Sequence, residues 1–298
     1  MRADPSYINS LTQSLNNAAI TANNLSGQLS SGLRVQSLSD DPSAAAQSVQ
    51  MGSQIAKIDT FIQTASSEIS MLQVTDSTLG EVVTQLTSAI TLAVQATNGT
   101  LNPANLQAVL QQATGIRDQV LALANASYQG RYLFTGSRGT TAPYSLDTST
   151  TPATATYNWD TYVQFIETPG GQRIQMNLPG SSIFGYGSTG AFGALNKFID
   201  DLSSGSSASL AADSSALNDA LTTVSIQRSI LNGSLSTLQS TSTYAQTQEA
   251  QMKAQQGSLV AADPAAIATQ LKSNQTQYQA LLSVISSLNK VNLFDYLK

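Results

Sequence analysis

Apolar residues recur along most of this chain at alternating intervals of four and three, and that spacing decides what it can fold into. In the first stretch Leu11, Leu15, Ala18, Ala22, Leu25 and Leu29 keep the rhythm without a break. A 3.5-residue repeat places one stripe along one face of a helix, and that stripe is stable only when another helix covers it. A second run, Ile55, Ile58, Ile62, Ala65, Ile69, Leu72, Leu79, Val83, Leu86, Ile90 and Ala93, has Asp76 as its polar intruder. A third, Leu106, Ala113, Ile116, Val120 and Leu123, follows Pro103, a residue suited to a first helical turn. A fourth, Leu217, Leu221, Val224, Leu231, Leu235 and Leu238, carries Arg228 in its seam. The last comprises Ile267, Leu271, Asn274, Tyr278, Leu281, Ile285 and Leu288. At 1.5 Å per residue, helices over 44–97 and 214–256 would be about 80 and about 65 Å long. Rods of that length predict an elongated antiparallel helical bundle.

Helix ends are legible in the same way. Gly32 suits a left-handed C-cap, and Asp41-Pro42 and Asp263-Pro264 each read as an N-cap followed by proline at the first helical position. Residues 32–41 and 99–103 are therefore loops. Between helices three and four the period changes to two in Thr154–Tyr157, Tyr162–Ile166 and Arg173–Leu178. Asn158-Trp159-Asp160 and Pro169-Gly170-Gly171 supply turn chemistry between them, which predicts a small antiparallel β insertion. A short helix with Phe192, Leu195, Phe198, Ile199 and Leu202 follows, then a loose Ser-rich linker over 203–212.

Composition narrows the function. The chain has no His and no Cys, which removes Ser-His catalysis, thiol nucleophiles, zinc fingers and disulfides together. A net charge of −5 offers no basic footprint for nucleic acid. Residues 5–33 and 82–116 are uncharged but crowded with Ser, Thr, Gln and Asn, so neither reads as a membrane span, and the first residues lack the apolar core of a secretory signal. Gly185-Tyr186-Gly187-Ser188-Thr189-Gly190 fits the spacing of a dinucleotide loop, yet no second parallel strand follows, so it reads as a flexible connector. Asp40-Asp41 and Asp200-Asp201 point in different directions and gather no metal. The expectation is a non-enzyme with no cofactor and no metal. Arg34, six residues before Asp40, is either a solvated loop charge or half of a loop-fixing ion pair.

Only 10% of residues are charged, and 273–289, like 5–33, has no charge around the whole helix. Charge depletion marks the buried part of an interface, so these helices are expected to be surrounded by copies of themselves.

Three stretches resemble one family. Leu29-Ser30-Ser31-Gly32-Leu33-Arg34-Val35 followed by Asp40-Asp41-Pro42-Ser43-Ala44 is similar to the N-terminal signature of the flagellin superfamily, in its hook-associated form. Ala124 to Gly136 resembles the passage from the third helix into the β unit, and Asn292-Leu293-Phe294-Asp295-Tyr296-Leu297-Lys298 resembles the ending of hook–filament junction subunits. The resemblance implies a mainly α fold with a small β insertion, an elongated antiparallel bundle of flagellin type. Residues 1–43 with 259–298 would form the inner assembly domain, 44–136 with 191–258 the long bundle, and 137–190 a β domain at the outer end. It also implies an extracellular flagellar subunit exported by the flagellar type III apparatus. Its partners would be itself in a ring, a neighbouring hook-associated protein, flagellin, and an export chaperone at the C-terminal helix, with no nucleic acid and no membrane. A small filament flagellin, or an extracellular helical adhesin or needle-tip-like protein, are the alternatives. Assembly residues are expected at Leu11, Leu15, Ala18, Ala22, Leu25, Leu29, Gly32, Leu33, Arg34, Asp40, Asp41, Ile267, Leu271, Tyr278, Leu281, Ile285, Leu288, Leu293, Phe294, Tyr296 and Leu297.

Overall fold

A computed structural model describes residues 5–97, 103–137, 139–158, 160–205 and 207–294. Its helices are α1 (Pro5–Ser31), α2 (Pro42–Thr97), α3 (Pro103–Ala124), α4 (Gly180–Ile183), α5 (Gly190–Ser204), α6 (Ser207–Val260) and α7 (Pro264–Phe294). The fold is mainly α with short antiparallel strands. Five of these helices carry the five apolar seams.

Their ends obey the cap chemistry. Gly32 adopts φ 71° and its N–H returns to Gln28 O at 2.9 Å, closing α1. Asp41 accepts the Ala44 N–H at 3.0 Å at the start of α2, and Asp263 accepts Ala265 N–H at 2.9 Å at the start of α7. Ser and Thr, about a quarter of the sequence, are accommodated because their hydroxyls bond carbonyls one turn back; buried Thr75 donates to Met71 O at 2.8 Å. The expected linker over 203–212 is shorter than its Ser content suggests. Gly205, at φ 70°, ends α5, and α6 begins at Ser207 because Leu210, 2% exposed, anchors the new helix in the core.

The chain divides into two compact units, Met1–Lys57 with Gln248–Lys298, and Ile58–Thr247. In the first, α1 and α7 lie close along each other. They run antiparallel, because Arg34 N–H donates to Val260 O at 2.7 Å and Ala262 N–H to Gly32 O at 2.9 Å just where one helix ends and the other begins. Small residues such as Ala18 and Ala22 at the seam permit that close approach. The buried apolar set is thin: Ala18, Leu25, Val35, Ala44, Ile55 and Ile267.

The second unit has a deep core. Leu72, Leu79, Val82, Leu86 and Ala93 of α2, Ala113 and Val120 of α3, and Leu217, Val224, Leu231 and Leu238 of α6 are at most 2% exposed. The two seam intruders meet: Arg228 binds Asp76. The strands form three separate antiparallel pairs: β1 (Ser127–Tyr128) with β2 (Arg131–Tyr132), β3 (Tyr144–Asp147) with β4 (Thr154–Tyr157), and β5 (Phe165–Glu167) with β6 (Arg173–Gln175). The sequence reading missed β1, β2 and β3, and set β4 beside β5. Asp160 decides otherwise: it accepts the Ser137 N–H at 2.9 Å and the Ser137 hydroxyl at 2.5 Å, turning the chain away after β4. The expected turns at 99–102 and Trp159 lie outside the described residues. Gly171, at φ 83°, closes the β5–β6 hairpin.

Phe134, Tyr144, Phe184 and Phe192 cluster around 5 to 6 Å between ring centroids, with Phe134 edge-on to Phe184 at 5.0 Å. Tyr144 donates its hydroxyl to Gly185 O at 2.9 Å, and burial pushes its phenol well above the usual range. Asn125, at the end of α3, clamps the Tyr144 backbone by donating to its carbonyl at 3.0 Å and accepting its N–H at 2.9 Å. The insertion thus shares its aromatic core with α5 and is tied to α3.

The glycine-rich segment 185–190 is a tight turn rather than the expected flexible connector. Gly185 takes φ 68°, and a Cβ there would overlap the Thr189 carbonyl. Thr189 donates its hydroxyl to Tyr186 O at 2.8 Å across the turn. Close backbone packing requires Gly185 and Gly190, and the left-handed φ of 59° favours glycine at Gly187.

Candidate functional site

The surface with most to explain is the α1/α7 pair. On α1 the structure buries Ala18 and Leu25, half-buries Leu11, Leu15 and Ala22, and leaves Leu29 43% exposed. On α7 it buries Ile267 and half-buries Leu271, Asn274, Tyr278, Leu281 and Ile285. Every other position from 265 to 287 is exposed. Apart from Leu29, the described seam residues of the two helices are brought together in one stripe, and between 265 and 287 no other position of α7 is covered. The side chains of Leu288, Leu293 and Phe294, and the whole of Tyr296 and Leu297, lie outside the described residues.

Apolar residues also sit off the seam in water. Tyr7 and Ile20 on α1 are 50% and 58% exposed, and Leu282 and Val284 on α7 are 42% and 40% exposed. Periodicity alone does not single them out, because they fall outside the 3.5-residue stripe. Their signal is the charge-free stretch around them.

The loop after α1 holds a small polar network. Arg34 pairs with Asp41, Nη1 to Oδ2 at 3.1 Å, and its other amino group donates to Leu259 O at 3.0 Å. The partner is Asp41 rather than Asp40. Asp40 is already engaged, accepting the backbone N–H groups of Ser37 at 2.8 Å and Gln36 at 2.9 Å through one oxygen. Those N–H groups, Ser37 first, hold the Asp40 carboxyl below its ordinary value of 3.8. Asp41 is lowered as well, first by the Ala44 N–H it caps and then by Arg34. Asp41 therefore serves as helix cap and ion-pair partner at once. Gly32 and Leu33 place this network against the start of α7: Leu33 bridges Ala261 in antiparallel fashion. Leu259, whose carbonyl receives Arg34, has no signal in the sequence, because any residue offers a carbonyl.

Among the described residues no three acidic side chains gather as metal ligands, and no helix is long and apolar enough to cross a membrane. The arrangement presents surface and shape: an antiparallel helical pair, α1 and α7, bridged at its base by Arg34.

The sequence matches the bacterial flagellin N-terminal helical region over residues 6–139 and the bacterial flagellin C-terminal helical region over residues 215–297. Together these take in well over half of the chain, which belongs to the flagellin family. It is 35% identical to flagellar hook-associated protein 3 of Escherichia coli over 119 residues, 40% of this chain and 38% of that protein. It is 30% identical to polar flagellin C of Vibrio parahaemolyticus over 137 residues, 46% of this chain and 34% of the relative. The matched stretches thus span under two fifths of the length of these curated relatives. In fold it is similar to the crystal structure of flagellar hook-associated protein 3 from Legionella pneumophila, with TM-score 0.62 at 16% identity, covering 70% of this chain and 98% of that one.

Proposed function

We propose that this chain is a structural, non-enzymatic subunit of the flagellum that joins the hook, through the adjacent hook-associated protein, to the flagellin filament. The observation that carries the reading is the α1/α7 pair, in which one stripe is covered while an uncharged surface bearing Ile20, Leu282 and Val284 stays open. Surface of that kind is stabilised when further copies cover it. In this reading the subunits form a ring through α1 and α7, and the seam residues from Leu11 to Leu29 and Ile267 to Leu288, with the Arg34 loop, make the contacts. Residues 1–43 with 259–298 act as the inner assembly domain, 44–136 with 191–258 as the bundle, and 137–190 as the outward β domain. The chain reaches the outside through the flagellar type III apparatus, an export chaperone covering the C-terminal helix and the closing Leu293, Phe294, Tyr296 and Leu297 beforehand. The likeness to hook-associated protein 3 supports the junction role.

The likeness to polar flagellins favours a second reading, a small filament flagellin. A deletion strain separates the two. Hooks present, filaments absent and flagellin shed into the medium are expected for a junction subunit. Assembly of the purified chain into long filaments would overturn that role in favour of the filament.

A further inference from the structure

At the corner where α5 gives way to α6, two carboxylates compete for one ammonium. Lys197 and Asp201 lie one turn apart on α5 and are paired; Asp213 of α6 places Oδ1 3.3 Å from the same Lys197 nitrogen. Asp213 is 0% exposed, and neither of its oxygens has a well-directed hydrogen bond. Lys197, in contrast, is 55% exposed and strongly solvated, so its charge offsets the buried carboxylate only in part. Asp200 of α5 and Asp219 of α6 line the same cleft as Lys197 and add only negative charge, and the other elements packed on α5 bring little that could help. Arg117 of α3 is spent on Asp118 and the Ala153 carbonyl, β4 offers only the phenol of Tyr157, and α4 has no ionisable side chain.

A fully buried carboxylate beside a second carboxylate has one remaining way to lower its energy, which is to hold a proton and donate it to its neighbour. We propose that Asp213 and Asp201 share a proton in mildly acidic solution and form, with Lys197, a clasp that fixes α5 to α6 and loosens when the proton leaves to water. The step is a protonation only: one carboxylate becomes a carboxyl group, and its O–H donates to the other. The clasp sits at the root of α5, whose Phe192 and Phe198 are fully buried, Phe192 in the aromatic core shared with Tyr144 and Phe184. Loosening it frees the C-terminal half of α5, where Phe198 is fully buried.

Burial first, then the neighbouring carboxylate of Asp201, push the Asp213 carboxyl up from 3.8 to about 6, with Lys197 pulling the other way. A folded value above the unfolded one means the folded chain binds more protons between the two. The contribution to stability is therefore greatest at low pH and is lost as pH rises through about 6. This is opposite in sign to Asp40, Asp41, Asp76 and Asp147, all of which are lowered.

The test is thermal and urea unfolding of the full chain between pH 5 and 7.5, with carboxyl carbon NMR of labelled aspartate. Relative to wild type, the folding equilibrium constant of Asp213→Asn is expected to rise by about tenfold more at pH 7.5 than at pH 5. Asp201→Asn should move the Asp213 titration to lower pH and Lys197→Met to higher pH, and these two readouts serve if Asp213→Asn does not fold. Parallel stability profiles for wild type and Asp213→Asn, or an Asp213 titration at the ordinary carboxylate value that neither neighbour moves, would overturn the clasp.

Discussion

Arg228 on α6 binds Asp76 on α2 through two parallel bonds, Nε to Oδ1 at 2.7 Å and Nη2 to Oδ2 at 3.0 Å, across 152 residues of sequence. Asn232, one turn along α6, donates to the same Oδ1 at 2.9 Å. Gly80 on α2 lies beside the guanidinium, which a Cβ there would only touch at ordinary contact distance, 3.4 Å. Apolar seams repeat every heptad and tolerate a slip by one repeat. A bidentate ion pair does not, so it sets the register of α2 against α6.

Removing one partner leaves the other half-covered charge without compensation. Asp76→Ala is expected to destabilise the chain by about 1–2 kcal/mol, between the values for exposed and buried pairs, because the side chains are 23% and 35% exposed. The exchange Asp76→Arg with Arg228→Asp should recover part of that loss in urea unfolding. Arg228, followed by Asn232, keeps Asp76 below its ordinary value of 3.8 against the opposing effect of burial. Its contribution is complete above that value and is lost as pH falls through the lowered one, so the Asp76→Asn penalty should shrink in acid.

Arg34→Ala removes the bonds to Asp41 and Leu259 from an exposed loop. Melting of the isolated subunit should change little because the pair is exposed, whereas in the proposed ring affinity should fall by about tenfold, because these bonds hold the loop that a neighbouring copy would meet. Sedimentation together with motility measures both. Wild-type filament retention would confine the role of Arg34 to the bonds within its own chain.

Replacing 137–190 by a short Gly-Ser link tests the three-part division of the chain. The helical signal of α2, α3 and α6 should persist, since Leu79, Leu86, Val120 and Leu217 are buried along the helices. Melting should nevertheless fall, because Phe134 and Phe192 lose Tyr144 and Phe184 as neighbours. Unchanged melting would mark the insertion as independent.

Limited proteolysis tests how well the terminal helices hold in a free subunit. A single covered stripe offsets little of the roughly 1–2 kcal/mol per residue needed to order a backbone. Proteases should therefore remove about 1–40 and 260–298 first, leave the remainder melting as before, and abolish assembly. Resistant ends in dilute solution would show that the pair is stable by itself.

The long helices, their caps at Gly32, Asp41 and Asp263, and most of the described seam positions were legible in the chain alone, although Leu29 is 43% exposed and the short α4 gave no signal. Each depends on residues within one or two turns, and the physics of a 3.5-residue stripe or an N-cap is local. The sequence also marked Asp76 and Arg228 as anomalies in their seams without joining them. What joined them was tertiary packing, as it joined Tyr144 to Phe192, directed Arg34 to Asp41 and the Leu259 carbonyl, and left Asp213 buried with half a cation. Strand pairing belongs to the same class: Asp160 turns the chain after β4 by bonding Ser137, 23 residues back, as well as its near neighbour Tyr162. A side chain's local preference is written in its neighbours along the chain. Its partner across the fold is chosen by which groups arrive together and which of them water can no longer reach.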